Sequence, residues 1–395
     1  MKEIHSLFFE LIKSSLNLKM YDCRLKDDFK LYQMAKINGL SGTIFHSIDP
    51  TLIEHDVFHL FQMDYFEYQA RDVRQLKAIQ EVDEIFNLSN IEHIFLKGSF
   101  LKGIYPDTYM RSMGDIDILV RKDKMNEVHQ VLNSSGYFNW ANSTNHDCFV
   151  KDKDIFLEIH PQLDTDFDDK YDGLFLDIWS NAKCTSKHRF EFKSEFMLAY
   201  LMYHNAKHLS SSGIGLRNIL DIGLFCMKFQ DTMNAEILEK LLRDNHLFKL
   251  FQNFIWFNNA YFGFVIFSLF LTNFEQDSVF LEKITDFILT SGVHGKGEDH
   301  NPFVCGISKS SLKVDSIQKG RKTFILKTLF PSKHLMQGTY HYLKKYPWLL
   351  PFSWIQRGCK LLFKKTKSSI KKIKNLRVHK DTLMNTKELY DQLGL

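Results

Sequence analysis

Gly114-Asp115-Ile116-Asp117-Ile118-Leu119-Val120 alternates acidic and apolar side chains over a run the length of one strand. Strand side chains alternate faces, so Asp115 and Asp117 point one way while Ile116 and Ile118 point into a core. Two carboxylates on one sheet face repel each other and are costly to hold together unless a cation neutralises them. Upstream, the apolar run Ile94-Phe95-Leu96 leads into Lys97-Gly98-Ser99, a turn whose backbone N–H groups can cradle phosphate. Downstream, Phe156-Leu157-Glu158-Ile159-His160 sets another acidic residue inside an apolar run. Asp115, Asp117 and Glu158 together make the hard, oxygen-rich site that Mg²⁺ prefers. A phosphate cradle beside metal carboxylates points to phosphoryl or nucleotidyl transfer.

Outward from this centre, residues 1–90 read as helical, with Leu7, Phe8, Leu11 and Ile12 at helical spacing and few breakers between Asp64 and Phe86. Residues 91–190 switch to short strands at Ile94–Leu96, Ile116–Val120, Cys148–Val150 and Ile155–Ile159. A helix from about Asp123 to Leu132 separates two of them, and Asp152-Lys153-Asp154 reads as a hairpin turn. Residues 191–290 read as a helical domain. There Ser194 is a candidate N-cap, Phe196–Leu209 runs to the breaker Ser210-Ser211-Ser212-Gly213, and a second helix spans Leu216–Phe229. The uncharged run Phe254–Leu271 is interrupted by Asn258, Asn259, Gly263 and Ser268, and is expected to be a buried helix pair or one long core helix rather than a membrane span. Glycine-bearing residues 291–320 read as a loop or linker, and residues 321–395 as a basic helical C-terminal region. The fold class is α+β: a small mixed sheet with helices, flanked by N-terminal helices and a C-terminal helical domain.

The 395 residues, 44% hydrophobic and 25% charged, are enough for a sizeable core and exclude wholesale disorder. A net charge of +4 is too small to argue for nucleic acid by itself. The cysteines, at 23, 148, 184, 226, 305 and 359, form no Cys-x-x-Cys pair, which argues against structural zinc and for a reducing compartment. The first residues lack the apolar core of a signal peptide, so the cytoplasm is the expected location.

The central stretch resembles the DNA-polymerase-β-like nucleotidyltransferase superfamily, with its Gly-Ser turn, Asp-x-Asp strand and later acidic strand. More narrowly it is similar to a bacterial family of uncharacterised nucleotidyltransferases. The matching features are Lys97-Gly98, Tyr105-Pro106, Arg111, Asp115-Ile116-Asp117, Gly136-Tyr137 and Glu158-Ile159-His160. Further echoes are His204-Asn205-Ala206-Lys207-His208, Arg217 with Asp221, and Pro347-Trp348-Leu349-Leu350-Pro351. The resemblance implies a sheet core that moves an NMP from an NTP, ATP by default, to an acceptor hydroxyl with release of pyrophosphate. It implies two Mg²⁺ ions, or Mn²⁺, on Asp115, Asp117 and Glu158, and hints at a small or saccharide-like acceptor. A catalytically silent NTP-binding regulatory or scaffold protein of the same fold is the alternative.

Each residue also has a plainer reading. Asp115 and Asp117 can be a solvated strand end, although that leaves Gly98-Ser99 and Glu158 unexplained. Gly98 and Ser99 either donate to the β- and γ-phosphates or form an ordinary strand-to-helix turn. Lys97 is either solvated or a nucleotide contact, and Arg111, matching the family pattern, is expected on phosphate or carboxylate. His160 is either a packed strand histidine or a partner of Glu158 or phosphate. His204 and His208 mimic a zinc pair, but no Glu follows His204 and no third ligand is evident. The resemblance instead has His204, Lys207 and His208 lining the cleft. Arg217 and Asp221 are at the spacing of a surface ion pair. The lysines from 360 to 374 with Arg377 can dock on the domain or contact nucleic acid or an anionic membrane.

Overall fold

The computed structural model describes residues 3–143, 145–152, 154–163, 168–293, 301–312, 314, 316–337, 339–363 and 380–395. Helices α1 (Glu3–Leu16), α2 (Asp28–Ile37), α3 (Ser41–Ile44) and α4 (His55–Leu88) lead the chain. The long α4 serves two cores. Val57 and Phe61, near its start, join the main core, whereas Ala78, Val82 and Phe86, one helical turn apart, pack under the sheet.

The sheet is built from β1 (His93–Phe95), β2 (Ile116–Val120), β3 (Phe138–Asn142), β4 (Asp147–Lys151), β5 (Ile155–His160), β6 (Ala182–Ser186) and β7 (Arg189–Phe192). Between them lie α5 (Lys97–Leu101) and α6 (Met125–Ser134). The strand order is β3-β4-β5-β2-β1-β7-β6, with β2/β5 and β1/β7 parallel and the other pairs antiparallel. This is the mixed sheet expected of an α+β fold. Ile116, Ile118, Val120, Phe149, Leu157 and Ile159 face the core shared with α4 and α6. On the other face, Leu119 packs with residues of the helices that follow the sheet.

Those helices are α7 (Ser194–Ser211), α8 (Leu216–Phe229), α9 (Ala235–Asp244), α10 (Phe248–Phe262) and α11 (Ser278–Ser291). After them come α12 (Pro302–Leu312), α13 (Ile317–Leu329), α14 (Lys333–Gln337), α15 (Tyr342–Lys345), α16 (Leu350–Phe363) and α17 (Lys380–Leu393).

Three local expectations need correction. Ser194 is not a cap: Lys193 holds that position, without a side-chain cap bond, and Ser194 is the first helical residue. Phe254–Leu271 is neither a helix pair nor one helix, because α10 ends where Gly263 adopts φ +68°, a left-handed turn that glycine makes without steric cost, and only a short 3₁₀ turn (Ser268–Leu271) follows. Among the described residues, no helix is long and apolar enough to cross a membrane. The 291–320 loop contains α12, which starts at Pro302 and packs against α13 and α17. The basic run from Lys364 to Arg377 lies outside the described residues, as does Lys153 of the expected hairpin turn; the strands flanking that turn pair Lys151 with Ile155.

Candidate active site

The parallel pairing of β2 with β5 brings the acidic residues together. Its register sets Asp117 opposite Glu158 and Leu119 opposite His160, so that Asp117, Glu158 and His160 project from one face. One ligand atom from each lies within 4.8 Å of the others. The His160 Nε2 stands 2.9 Å from Asp117 Oδ1 and 3.7 Å from Glu158 Oε2. Asp115, immediately before β2, hydrogen-bonds to Glu158, and His146 Nε2 stands 3.6 Å from the Glu158 carboxylate.

Lys97 closes the group by donating from Nζ to Asp117 Oδ1 at 2.7 Å. Its backbone has φ +46°, a left-handed conformation unusual for a side-chain-bearing residue. The Leu96 N–H donates to the Asp117 carbonyl at 2.9 Å, which pins the start of the turn to β2.

The charges are strongly perturbed. Burial, then Asp115 and Asp117, push the Glu158 carboxyl up to about 8. Burial also penalises the Asp117 carboxylate, but Lys97 and His160 outweigh it and hold the group well below the usual range. Burial likewise works against the Lys97 ammonium, and Asp117 more than compensates. The donors, two carboxylates and an imidazole with a further carboxylate alongside, fit a hard divalent ion. His146, Cys148 and Glu158 form a softer set, but burial and the neighbouring carboxylates push the Cys148 thiol up to about 11, against the thiolate a soft metal needs.

The expected phosphate turn is built differently. Gly98, the second residue of α5, lines the cleft, and a Cβ there would come within 2.9 Å of Met113 Sδ, so a side chain would have to displace Met113. The Ser99 N–H donates to the Leu96 carbonyl and its hydroxyl to Met113 Sδ, which spends both donors inside the protein. Ser99 thus bonds within the protein and is not among the residues that line the cleft.

A cleft of about 240 Å³ lies over the carboxylates, with α7 and α8 along its far wall. His204 and His208 line it, their rings 4.4 Å apart; Lys207 is not among its lining residues. Arg111 also reaches it, but its Nε donates to both Asp221 oxygens, at 2.8 and 3.0 Å, the carboxylate form of contact rather than the phosphate form. Arg217 and Asp221 are buried and do not pair as a surface i,i+4 couple. Arg217 donates to the carbonyl and hydroxyl of Ser112, while its buried Nε has no hydrogen-bond partner among the described residues. Burial and Arg111 push the Arg217 guanidinium down to about 10, still cationic at neutral pH.

Two features escaped the sequence. Asn205 and Asn218 line the cleft and bond to each other at 3.1 Å; Asn205 sits within the quoted His204–His208 motif, and only its helical phase marks it. Beneath the turn, buried Lys102 pairs with Asp72 of α4 at 2.5 Å, and nothing local signals so distant a partner.

No curated protein matches the chain. The antibiotic-resistance factor ANT(2'')-Ia, solved in solution, is similar to it at 13% identity with a TM-score of 0.34, over 43% of this chain and 90% of that one. A family model described as uncharacterised nucleotidyltransferase matches residues 26–263, more than half of the sequence, and the chain belongs to that family.

Proposed function

We propose that the protein is a divalent-metal-dependent enzyme that transfers an NMP from an NTP, by default ATP, to an acceptor hydroxyl. One observation carries this reading: the β2/β5 register that sets Asp117 against Glu158 at the floor of a cleft with cationic walls. Asp117 and Glu158, with Asp115 beside them, would hold Mg²⁺ or Mn²⁺, and His160 would orient Asp117. A bound ion supplies charge neutralisation for the triphosphate. Lys97 and Arg217 would face the phosphates, while Arg111, engaged by Asp221, would position the wall. The acceptor oxygen attacks the α-phosphorus as the α–β bridging P–O bond breaks, pyrophosphate departs, and the acceptor proton passes to Glu158. Positioning and charge account for the rate.

The test is incubation with each α-³²P-labelled NTP, Mg²⁺ and cell extract, beside an Asp115→Ala/Asp117→Ala variant. Label is expected in an acceptor fraction only with the intact carboxylates. Nucleotide binding without any transferred label would overturn the reading in favour of a silent binding protein. The Lys97–Asp117 pair, which already neutralises one carboxylate without a metal, favours that second reading.

A further inference from the structure

The sheet face that carries the carboxylates continues past Glu158 into a stretch whose large aromatic side chains are exposed. Phe138 pairs with Val150 on β4, and Val150 with Phe156 on β5; Trp140 sits at the register shift between Asn139 and Ala141, where β3 carries one residue more than β4. Phe156 is in turn two residues from Glu158, so Phe138 and Phe156 stand on the carboxylate side of the sheet, and Trp140 lines the same hollow as Phe156 and Glu158. They are open to solvent: Phe138 and Trp140 are each 69% exposed and Phe156 38%. A hollow of about 490 Å³ lies over Trp140 and Phe156, with Arg71 and Asp154 at its walls, and it shares Gly114, Asp115 and Glu158 with the cationic cleft. The acidic residues thus stand between two chambers of opposite chemistry, one lined by Lys97, Arg217, His204 and His208, the other aromatic and acidic.

We propose that the second chamber is the acceptor subsite, and that it takes a neutral or cationic polyhydroxylated ring, a saccharide-like molecule laid against Trp140 and Phe156. The proposal rests on the nucleotidyltransferase reading. In-line displacement needs the attacking oxygen on the side of phosphorus opposite the leaving pyrophosphate, and two chambers flanking one set of carboxylates meet that need. Exposed aromatic faces offer a partly negative surface to the C–H face of a ring, or to an ammonium group. The carboxylates accept hydrogen bonds from hydroxyls, and Arg71 donates them. Charge decides against a nucleic-acid strand, whose phosphates require several lysines or arginines. Among the described residues that line the hollow, Asp115, Glu158 and Asp154 face one cation, Arg71, which is already 3.6 Å from Glu67, and Asp154 is bonded to Arg74 at 2.6 Å.

The test uses the full chain with ¹⁵N-labelled tryptophan. The Trp140 indole signal, assigned by its loss in Trp140→Phe, is followed while D-glucose, D-glucosamine, methyl β-D-galactoside or single-stranded oligo(A) is added. A saccharide is expected to shift the Trp140 signal saturably and to leave the remaining tryptophans in place, with oligo(A) inert. Trp140→Ala is expected to raise the KM for the acceptor fraction at least about tenfold, with the KM for NTP and the thermal midpoint unchanged. A Trp140 signal that answers to no saccharide, that answers to oligo(A), or that moves with protein concentration alone overturns the proposal. So does a wild-type acceptor KM in Trp140→Ala. Failure of the wild-type protein to transfer label with any NTP would instead defeat the nucleotidyltransferase reading, and the indole titration is read independently of it.

Discussion

Glu158 is held in a condition that serves chemistry better than stability. Its carboxyl is pushed up to about 8, so the metal-free folded protein keeps it protonated at neutral pH, while the unfolded chain ionises it near 4. Between those values the unfolded state binds fewer protons, and stability falls as pH rises, by at most about 1.4 kcal/mol per unit for this group. Glu158→Gln mimics the protonated form. In EDTA, its thermal midpoint is expected to exceed that of the wild type by a margin that grows from pH 5 to 8 and then levels off. Thermal scans across that range check it; parallel midpoints would refute the assigned state. The three acidic residues were legible in the sequence through their period of two and their apolar neighbours. The bond from His160 to Asp117, rather than chiefly to Glu158, was not, because it depends on the register between strands some forty residues apart in the chain.

At the scale of elements, α8 is tied to the approach of β2 by Asp221, which binds Arg111 and accepts from the Tyr105 hydroxyl at 2.8 Å. Asp221→Ala would leave two buried guanidinium groups without that carboxylate, and a loss of about 3–5 kcal/mol is expected, as for other buried pairs broken on one side. Urea unfolding checks this, and an unchanged midpoint would contradict it. The helices α1, α4, α6, α7 and α8 were legible from apolar spacing and the scarcity of breakers, α5 was read as a turn, and β2 and β5 were legible from alternation. The strands β3, β6 and β7 were not: β3 and β6 are exposed edge pieces with no apolar run, β7 is a four-residue strand that alternates charged residues with phenylalanine, and β3 shows only the alternation of Phe138 and Trp140 with asparagine and alanine. The helix α12 lay hidden among glycines because its Gly306 allows close approach to Phe324 of α13 instead of breaking the helix.

For the whole molecule, the mixed sheet is one wall of the cleft and α7 with α8 the other, and the family match spans both. The sequence contained the components of each wall but not their apposition. That the Lys97 ammonium meets Asp117, while Ser99 bonds to Met113 and Arg111 to Asp221, follows from packing that no local pattern encodes. The central claim, that Asp117 and Glu158 together form a divalent-metal site completed by nucleotide, is tested most directly by Mn²⁺ binding followed by electron paramagnetic resonance. The titration is run with a non-hydrolysable NTP, in the wild type and in Asp117→Asn. The wild type is expected to bind Mn²⁺ more tightly with the nucleotide than without it, and Asp117→Asn to lose that binding while keeping its fold by circular dichroism. Equal Mn²⁺ affinity in the two proteins would contradict the account.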